Sequence, residues 1–417
     1  MNALIKTATI IDSQSSHHGK TVDIRIKNGK IAEIGKNLKP AKGEKSIQHD
    51  NLHISQGWFD SSVSMGQPGY EERETIENGL QVAASSGFTD VAINPNTNPV
   101  LDTSSAISYV KKMAEGFVSS VHPIGALSRK NEGKDLAELY DMQQAGAVAF
   151  GDYQKAIENP NLLKIALQYA QGFDGLVLSY PQENKLVGKG MVNEGVVSTR
   201  LGLKGSPALA ESVQIARDLH ILKYTGGKLH IPTISTAASV ALIREAKEKG
   251  LDVSCSVAIA NLFYTDEELE NFDTNYKILP PLRTAQDQEA LLEGVKDGTI
   301  DMVTSNHNPL NIELKKVEFD NASYGTIAQE ATFGALLTLV SEKKAIKLLT
   351  AARARFTANT HTIEEGNEAN LSMFDIKGGF SFRESDIRSS SKNAAFLGAK
   401  LKGKVYGVIA NNTLHSN

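Results

Sequence analysis

The sequence predicts an α/β fold, in which a (β/α)8 TIM-like barrel carries a small β-sandwich domain built from both termini. Two observations predict it. Residues 53–355 hold eight short apolar segments, most of them separated by an amphipathic helical pattern. Residues 1–52 and 356–417 instead alternate apolar and polar residues, as strands do. Because a lone hairpin is marginally stable in water, we expect these two ends to pair into one composite β domain.

Composition narrows the class of protein. The 417 residues are 41% hydrophobic and 22% charged, with a formal net charge of -4. Basic residues form no block, which argues against nucleic acid or an anionic membrane as a partner. No apolar run approaches the roughly 20 residues of a membrane helix, and the single cysteine, Cys255, leaves no intrachain disulfide. We expect a cytoplasmic protein.

The terminal segments contain clear strand signals. In "VDIRIKNGKIAEIG" the alternation runs on both sides of Asn28-Gly29, a dipeptide typical of a two-residue hairpin turn. A similar alternation of apolar and polar residues recurs in "ANLSMFDIKGG" and "AKLKGKVYGVIANN" near the end of the chain.

The middle of the chain supplies the barrel strands. The predicted strands are residues 58–64, 89–94, 120–126, 147–152, 175–180, 228–234, 253–259 and 300–306. One intervening helix, "STAASVALIREAKEKG", opens with the cap candidates Ser235 and Thr236 and closes on Gly250. In such a barrel the chemistry lies at the carboxyl ends of the strands.

Small neutral side chains dominate those strand ends. They are Ser62, Ser64, Asn94, Asn96, Ser179, Thr233, Ser256 and Asn306, with Asp152 and His307 as the exceptions. A zinc site needs about three or four thiolate, imidazole or carboxylate ligands. No two histidines have HxH spacing. We expect His230 to be a hydrogen-bonded core or interface residue, while His307 either lines the barrel mouth or faces away from it.

No other catalytic motif is present. The sequence lacks a GxSxG elbow, a Walker phosphate loop and a GxGxxG after a strand. The turn-dense "NPNTNP", residues 94–99, either caps backbone groups or donates to a bound carbonyl or carboxylate.

Several long stretches carry a family likeness over nearly the whole chain. They include "GWFDSSVSMGQPGYEERETIENGLQVAASSGFTDVAINPNTNPVLD", "NEGVVSTRLGLKGSPALAESVQIARDL", "DTNYKILPPLRTAQDQEALLEGVKDGTIDMVTSNHNP" and "SKNAAFLGAKLKGKVYG". The sequence resembles the dihydroorotases of the amidohydrolase superfamily, specifically their longer type. The resemblance implies a barrel over residues 53–355 and a composite β domain from residues 1–52 and 356–417.

The resemblance also implies where a metal site would lie. The family opens or closes a cyclic amide in pyrimidine synthesis with zinc-activated water. Its ligand positions fall on Ser62, Ser64, Asp152, Ser179 and Thr233, and its catalytic aspartate falls on Asn306. Only Asp152 keeps the family's group, so the resemblance implies no metal and no catalytic residue.

The substrate positions are altered as well. The family's carboxylate-binding arginine falls on Gly66, and two further binding positions fall on Leu279 and Leu310. Four positions of this vestigial substrate pocket are retained: Asn96, Lys277, Arg283 and His307. A glycine cannot replace a charge-assisted bidentate contact.

Three functions remain open on the sequence alone. The first is a non-catalytic, cofactor-free, homo-oligomeric relative that acts as a structural or regulatory partner of aspartate transcarbamoylase. The second is an active dihydroorotase or related cyclic-amide hydrolase whose zinc is held by other ligands, such as Asp152 with His307 and His230. The third is a metal-free sensor of a small molecule.

Overall fold

A computed structural model describes residues 1–357, 359 and 361–417. Its strands, in chain order, are β1 (Asn2–Ile10), β2 (Thr21–Lys27), β3 (Lys30–Gly35), β4 (Lys45–Ile47), β5 (His53–Gln56), β6 (Trp58–Val63), β7 (Phe88–Ile93), β8 (Ser120–Gly125), β9 (Ala149–Phe150), β10 (Leu176–Leu178), β11 (Val192–Asn193), β12 (Gly205–Ser206), β13 (Lys228–Ile231), β14 (Val253–Ala258), β15 (Met302–Thr304), β16 (Leu371–Ser381), β17 (Lys400–Ala410) and β18 (Thr413–Ser416).

The α-helices lie mostly between the barrel strands. They are α1 (Ile76–Ser85), α2 (Ser104–Met113), α3 (Leu139–Gln144), α4 (Pro160–Ala170), α5 (Asn184–Val187), α6 (Val196–Leu201), α7 (Leu209–Thr225), α8 (Ala237–Glu248), α9 (Ile259–Phe263), α10 (Ala285–Asp297), α11 (Gln329–Leu339) and α12 (Glu342–Phe356). Among the described residues, no helix is both long and apolar enough to cross a membrane.

The barrel consists of eight parallel strands in the order β15-β14-β13-β10-β9-β8-β7-β6. All eight strands predicted from the sequence are confirmed. A parallel bridge between Val63 and His307 joins the first strand to the segment after the last one. The buried carboxylate of Asp60 accepts hydrogen bonds from the Thr304 hydroxyl at 2.6 Å, the Ser305 amide at 3.1 Å and the Ser305 hydroxyl. These contacts tie β6 to the end of β15.

Inward-facing side chains of the strands fill the lower part of the barrel. Phe59, Ala92, Ala149, Leu176 and Met302 pack together in one buried cluster. The end of α12 also contributes to this cluster, which makes the interior a packed core and leaves the chemistry to the strand ends.

Both ends of the chain form one eight-stranded sheet with the path β18-β17-β16-β5-β1-β2-β3, and β4 pairs with β1. The predicted hairpin at Asn28-Gly29 is confirmed, with φ of 50° and 77° at the two turn residues. Strand β5 pairs with β1 and β16. The boundary predicted between residues 52 and 53 therefore falls too early, because β5 completes the terminal sheet and the barrel starts with β6.

Local capping explains where helices begin. The hydroxyls of Thr75, Thr103, Thr236 and Thr284 each accept a hydrogen bond from a backbone amide in the first turn of the helix that follows. Thr236, predicted as a cap of α8, is thereby confirmed.

Candidate functional site

A small cavity lies at the carboxyl ends of the barrel strands. It leaves about 20 Å³ for the centre of a water molecule, and about 10–15 Å³ is enough to hold one water. The lining residues are Ser61, Ser62, Asn94, Pro95, Ile124, Asp152, Tyr153, Gln154, Leu178, Tyr180, Pro232, Thr233 and Asn306. As described, the cavity accommodates about one water molecule and no metabolite of the size of dihydroorotate.

The two serines of the first strand end form a neutral network. The Asn94 amide lies 3.1 Å from the Ser62 hydroxyl and 3.2 Å from the Ser64 hydroxyl. Ser62 also donates to the Asn306 side-chain oxygen at 3.3 Å, and the Asn306 amide donates to the Leu279 carbonyl at 2.9 Å. The structure thus brings Ser62, Ser64 and Asn306 together, as the sequence predicts, but through amide and hydroxyl contacts.

Asp152 is the one carboxylate that lines the cavity, and Ser128 binds both of its oxygens. The Ser128 amide donates to one oxygen at 3.0 Å and the Ser128 hydroxyl to the other at 2.5 Å. Burial raises the pKa of the Asp152 carboxyl, while the hydrogen bonds from Ser128 oppose that rise. These contacts give Asp152 a structural partner on the loop after β8.

Ser179 was predicted to reach the cavity, and this prediction is wrong. Its hydroxyl donates to the Asp218 carboxylate on α7 at 2.6 Å, on the outside of the barrel. Alternation along the chain gives the physical reason: Leu176 and Leu178 face the barrel interior, so residue 179 faces outward. Tyr180, the next inward position, lines the cavity instead.

Tyr153 and Tyr180 are the site residues that sequence reasoning missed. Burial raises the pKa of Tyr153 to about 12 and raises that of Tyr180 still further. The Tyr153 hydroxyl is buried and has no hydrogen-bond partner of good geometry in the described part of the chain. A count of alternating positions from the strand cores would have found both tyrosines.

Several lining residues have an unusual backbone. Tyr153, Thr233 and Asn306 have φ of 56°, 49° and 49°, in the left-handed region that side-chain-bearing residues seldom adopt. Such conformations concentrate at functional sites. Three of the segments that line the cavity therefore carry the kind of strained backbone that is common at functional sites.

Both histidines near the strand ends are held by the protein itself. The ring nitrogens of His230 lie 2.9 Å from the Ser254 hydroxyl and 3.2 Å from the Ser256 hydroxyl, which confirms it as a hydrogen-bonded core residue. His307 accepts from the backbone amides of Ala328 and Gln329 at 3.2 and 3.4 Å, so its ring faces the start of α11. Burial lowers the pKa of each imidazole to about 3.

The side chains at two retained substrate positions also form hydrogen bonds with other residues of the protein. Arg283 donates to the Asn193 side chain at 3.0 Å and to the Ser206 carbonyl at 2.9 Å. The buried Lys277 ammonium donates to the backbone carbonyls of residues 319 and 320 at 2.7 and 3.0 Å. Neither cation lines the cavity.

The remaining predicted pocket positions lie around the mouth. Leu310 is buried, and its amide donates to the Asn393 side chain at 3.1 Å. Leu279 contributes its carbonyl, which accepts from Gln154 at 3.0 Å. The side-chain oxygen of Asn96 is buried without a partner among the described residues.

Gly66 lies in a loop whose own backbone carbonyl groups pack closely against it. A Cβ added to Gly66 would lie 1.8 Å from the Tyr70 carbonyl oxygen and 3.1 Å from the Glu74 carbonyl oxygen. Its amide donates to the Glu74 carbonyl at 2.9 Å, and its own carbonyl accepts from the Tyr70 amide at 2.9 Å. The loop therefore has no room for the family's arginine at this position.

The donor set does not fit a zinc ion. Zinc in proteins takes thiolate, imidazole and carboxylate ligands, whereas this cavity offers serine, threonine and tyrosine hydroxyls, asparagine amides and one carboxylate bound to Ser128. Over residues 1–357, 359 and 361–417, no group of three or more histidine, cysteine, aspartate or glutamate side chains could hold a metal.

Comparison with solved structures defines the class of fold. L-hydantoinase (dihydropyrimidinase) from Arthrobacter aurescens superposes with a TM-score of 0.87 at 21% identity, over 100% of this chain and 96% of that one. D-hydantoinase (dihydropyrimidinase) from Thermus sp. gives a TM-score of 0.83 at 20% identity, over 99% and 94%. The barrel and its terminal sheet thus have the fold of these hydantoinases.

Sequence comparison then identifies the family. A model described as "Dihydro-orotase-like" matches residues 53–239. The dihydroorotase of Thermoanaerobacter sp. (strain X514) is 38% identical over 413 residues, which cover 97% of this chain and 95% of that protein. The dihydroorotase of Ruminiclostridium cellulolyticum is 38% identical over 422 residues, covering 99% and 98%. The chain belongs to the dihydroorotase family.

Proposed function

We propose that this chain is a non-catalytic dihydroorotase-like protein of pyrimidine biosynthesis that has lost its metal site. The observation that carries the proposal is the donor set around a cavity with room for about one water molecule: apart from Asp152, which is bound to Ser128, it consists of uncharged groups. Enzymes lower barriers by about 8–23 kcal/mol, and metal hydrolases obtain much of this by lowering the pKa of a bound water and polarising the substrate. Hydroxyls and amides that hydrogen-bond to one another supply neither effect.

The electrostatics of the site support the same proposal. A general base at neutral pH needs a pKa near the working pH. The pKa values of His230 and His307 lie near 3, and that of Tyr153 lies near 12. At pH 7 all three groups are neutral, and neither histidine lines the cavity.

Metal analysis tests the loss of the metal site. The protein is purified without chelator, dialysed against excess zinc and then against metal-free buffer, and its zinc content is measured by mass spectrometry. We expect far less than one zinc ion per chain. Retention of one or two equivalents would overturn it.

The proposed role is that of a structural or regulatory partner of aspartate transcarbamoylase, within a homo-oligomer in the cytoplasm. Support comes from the family membership together with a preserved fold around a neutral site, since a chain without turnover can still act through binding. The test mixes this protein with the aspartate transcarbamoylase of the same organism at micromolar concentration and measures the mass of the eluting species by light scattering. A stable mixed complex supports the role, and separate elution contradicts it.

A second candidate is an active metal-dependent dihydroorotase or related cyclic-amide hydrolase, acting on dihydroorotate or carbamoyl aspartate. The identity of 38% to dihydroorotases over nearly the whole chain favours it. It would require zinc to be bound by groups such as Asp152, His230 and His307. Stoichiometric zinc with turnover that EDTA abolishes would establish this candidate in place of the first.

A further inference from the structure

The fourth and fifth barrel strands place tyrosines at their inner ends. In the fourth strand, Ala149 packs in the barrel interior and Phe150 packs outside it. A Cβ on Gly151 would lie 2.6 Å from the Cβ of Leu178, itself an interior residue. Residues 149, 151 and 153 therefore share the inward side, and Tyr153 lines the cavity.

The fifth strand follows the same rule. Leu176 and Leu178 face inward, and Val177 packs outside. Tyr180 then lines the cavity, whereas Ser179 bonds to Asp218 on the outer helix. In the fifth strand, the residue predicted as a metal-ligand position is therefore one place before the inward-facing residue. In the fourth strand, Asp152 and Tyr153 both line the cavity, but Ser128 binds both oxygens of Asp152.

We infer that Tyr153 and Tyr180, and not Asp152 and Ser179, stand at the family's ligand positions in the fourth and fifth strands, and that these two tyrosines fill the metal site. This inference rests on the proposed loss of the metal. It adds that the two tyrosine rings fill the space of the metal site, in addition to the loss of the metal-binding side chains. A tyrosine ring at each position takes up the volume that a metal ion and its water would need, which accounts for the small cavity.

Two reconstructed proteins separate the two assignments. Both carry the same background of four substitutions: Ser62→His, Ser64→His, Thr233→His and Asn306→Asp. The first adds Tyr153→Asp and Tyr180→His. The second adds Ser179→His and keeps Asp152 and both tyrosines.

The readout is zinc per chain after dialysis into metal-free buffer, checked by the visible spectrum of the cobalt form. We expect the tyrosine-replaced protein to retain at least one more equivalent than the Ser179→His protein. Equal or greater retention by the Ser179→His protein would overturn the inference. Zinc in the wild-type chain would instead overturn the proposed function, so the two failures are distinguishable.

Single substitutions keep the inference testable if the multiply substituted chains do not fold. Tyr180→Ala opens space inside the barrel, and Ser179→Ala does not. The void would be lined by Ile124, Leu178 and Pro232 together with hydroxyl and amide groups, so phenol can fill it with its ring and form a hydrogen bond through its hydroxyl. With millimolar phenol we expect a rise of several degrees in the melting temperature of Tyr180→Ala and no rise for Ser179→Ala. An equal response of the two variants would contradict the inward placement of Tyr180.

Discussion

Restoring the family's arginine at position 66 should destabilise this protein without creating a substrate site. The Cβ of Gly66→Arg would lie 1.8 Å from the Tyr70 carbonyl oxygen. Because this oxygen belongs to the backbone and cannot rotate away as a side chain can, the loop over residues 66–74 has to open. Reopening breaks three hydrogen bonds: the Gly66 and Gln67 amides to the Glu74 carbonyl and the Tyr70 amide to the Gly66 carbonyl. At about 1 kcal/mol each, their loss amounts to about 3 kcal/mol.

Urea unfolding at pH 7 measures this loss, and calorimetric titration with dihydroorotate measures any gain of binding. Gly172→Arg is the matched control, because a Cβ on Gly172 meets no atom within 4 Å. We expect Gly66→Arg to unfold at distinctly lower urea than Gly172→Arg and to bind no dihydroorotate. A Gly66→Arg protein as stable as the control, with measurable dihydroorotate affinity, would refute the reasoning about the closed loop.

Two further predictions concern groups that hold the barrel together. Asp60→Ala leaves the Thr304 and Ser305 donors unpaired at the barrel closure, so we expect a loss of about 3 kcal/mol or more in unfolding free energy. Glu138→Ala, at the exposed ion pair with Arg129, should lose less than about 1 kcal/mol. Equal losses in urea unfolding would count against the closure contacts. Acid should also destabilise the fold through His307, whose pKa falls from 6.5 to about 3 on folding. Below pH 6.5 the unfolded chain binds the proton and the folded chain does not. The unfolding free energy of wild type relative to His307→Gln should therefore fall by about 1.4 kcal/mol for each pH unit between pH 6 and pH 4. A difference that does not change with pH would contradict this.

The sequence predicted the barrel well because its signals are periodic. Each strand is a short apolar run between helical patterns, and a pattern repeated eight times tolerates an error of one or two residues in any one element. The terminal sheet was predicted from Asn28-Gly29 and its flanking alternation, which specify a turn locally. Strand β5 was assigned to the wrong domain because its partners, β1 and β16, lie far away in the sequence.

The site was predicted less completely, since a site depends on single positions. A shift of one residue moves a side chain to the opposite face of a strand, and this separates Ser179 from Tyr180. Similarly, the sequence retains Arg283 and Lys277, but it does not reveal that backbone carbonyls bind both cations. The closed loop at Gly66 is a tertiary contact that no local pattern specifies.

Turnover in saturating zinc tests the central claim most directly. Dihydroorotate hydrolysis and carbamoyl aspartate cyclisation are followed with micromolar protein and added zinc, beside an EDTA-treated sample and a zinc dihydroorotase whose turnover is measured in the same assay. We predict a rate no higher than that of buffer with zinc alone. Turnover that scales with the concentration of this protein and disappears with EDTA would contradict the account.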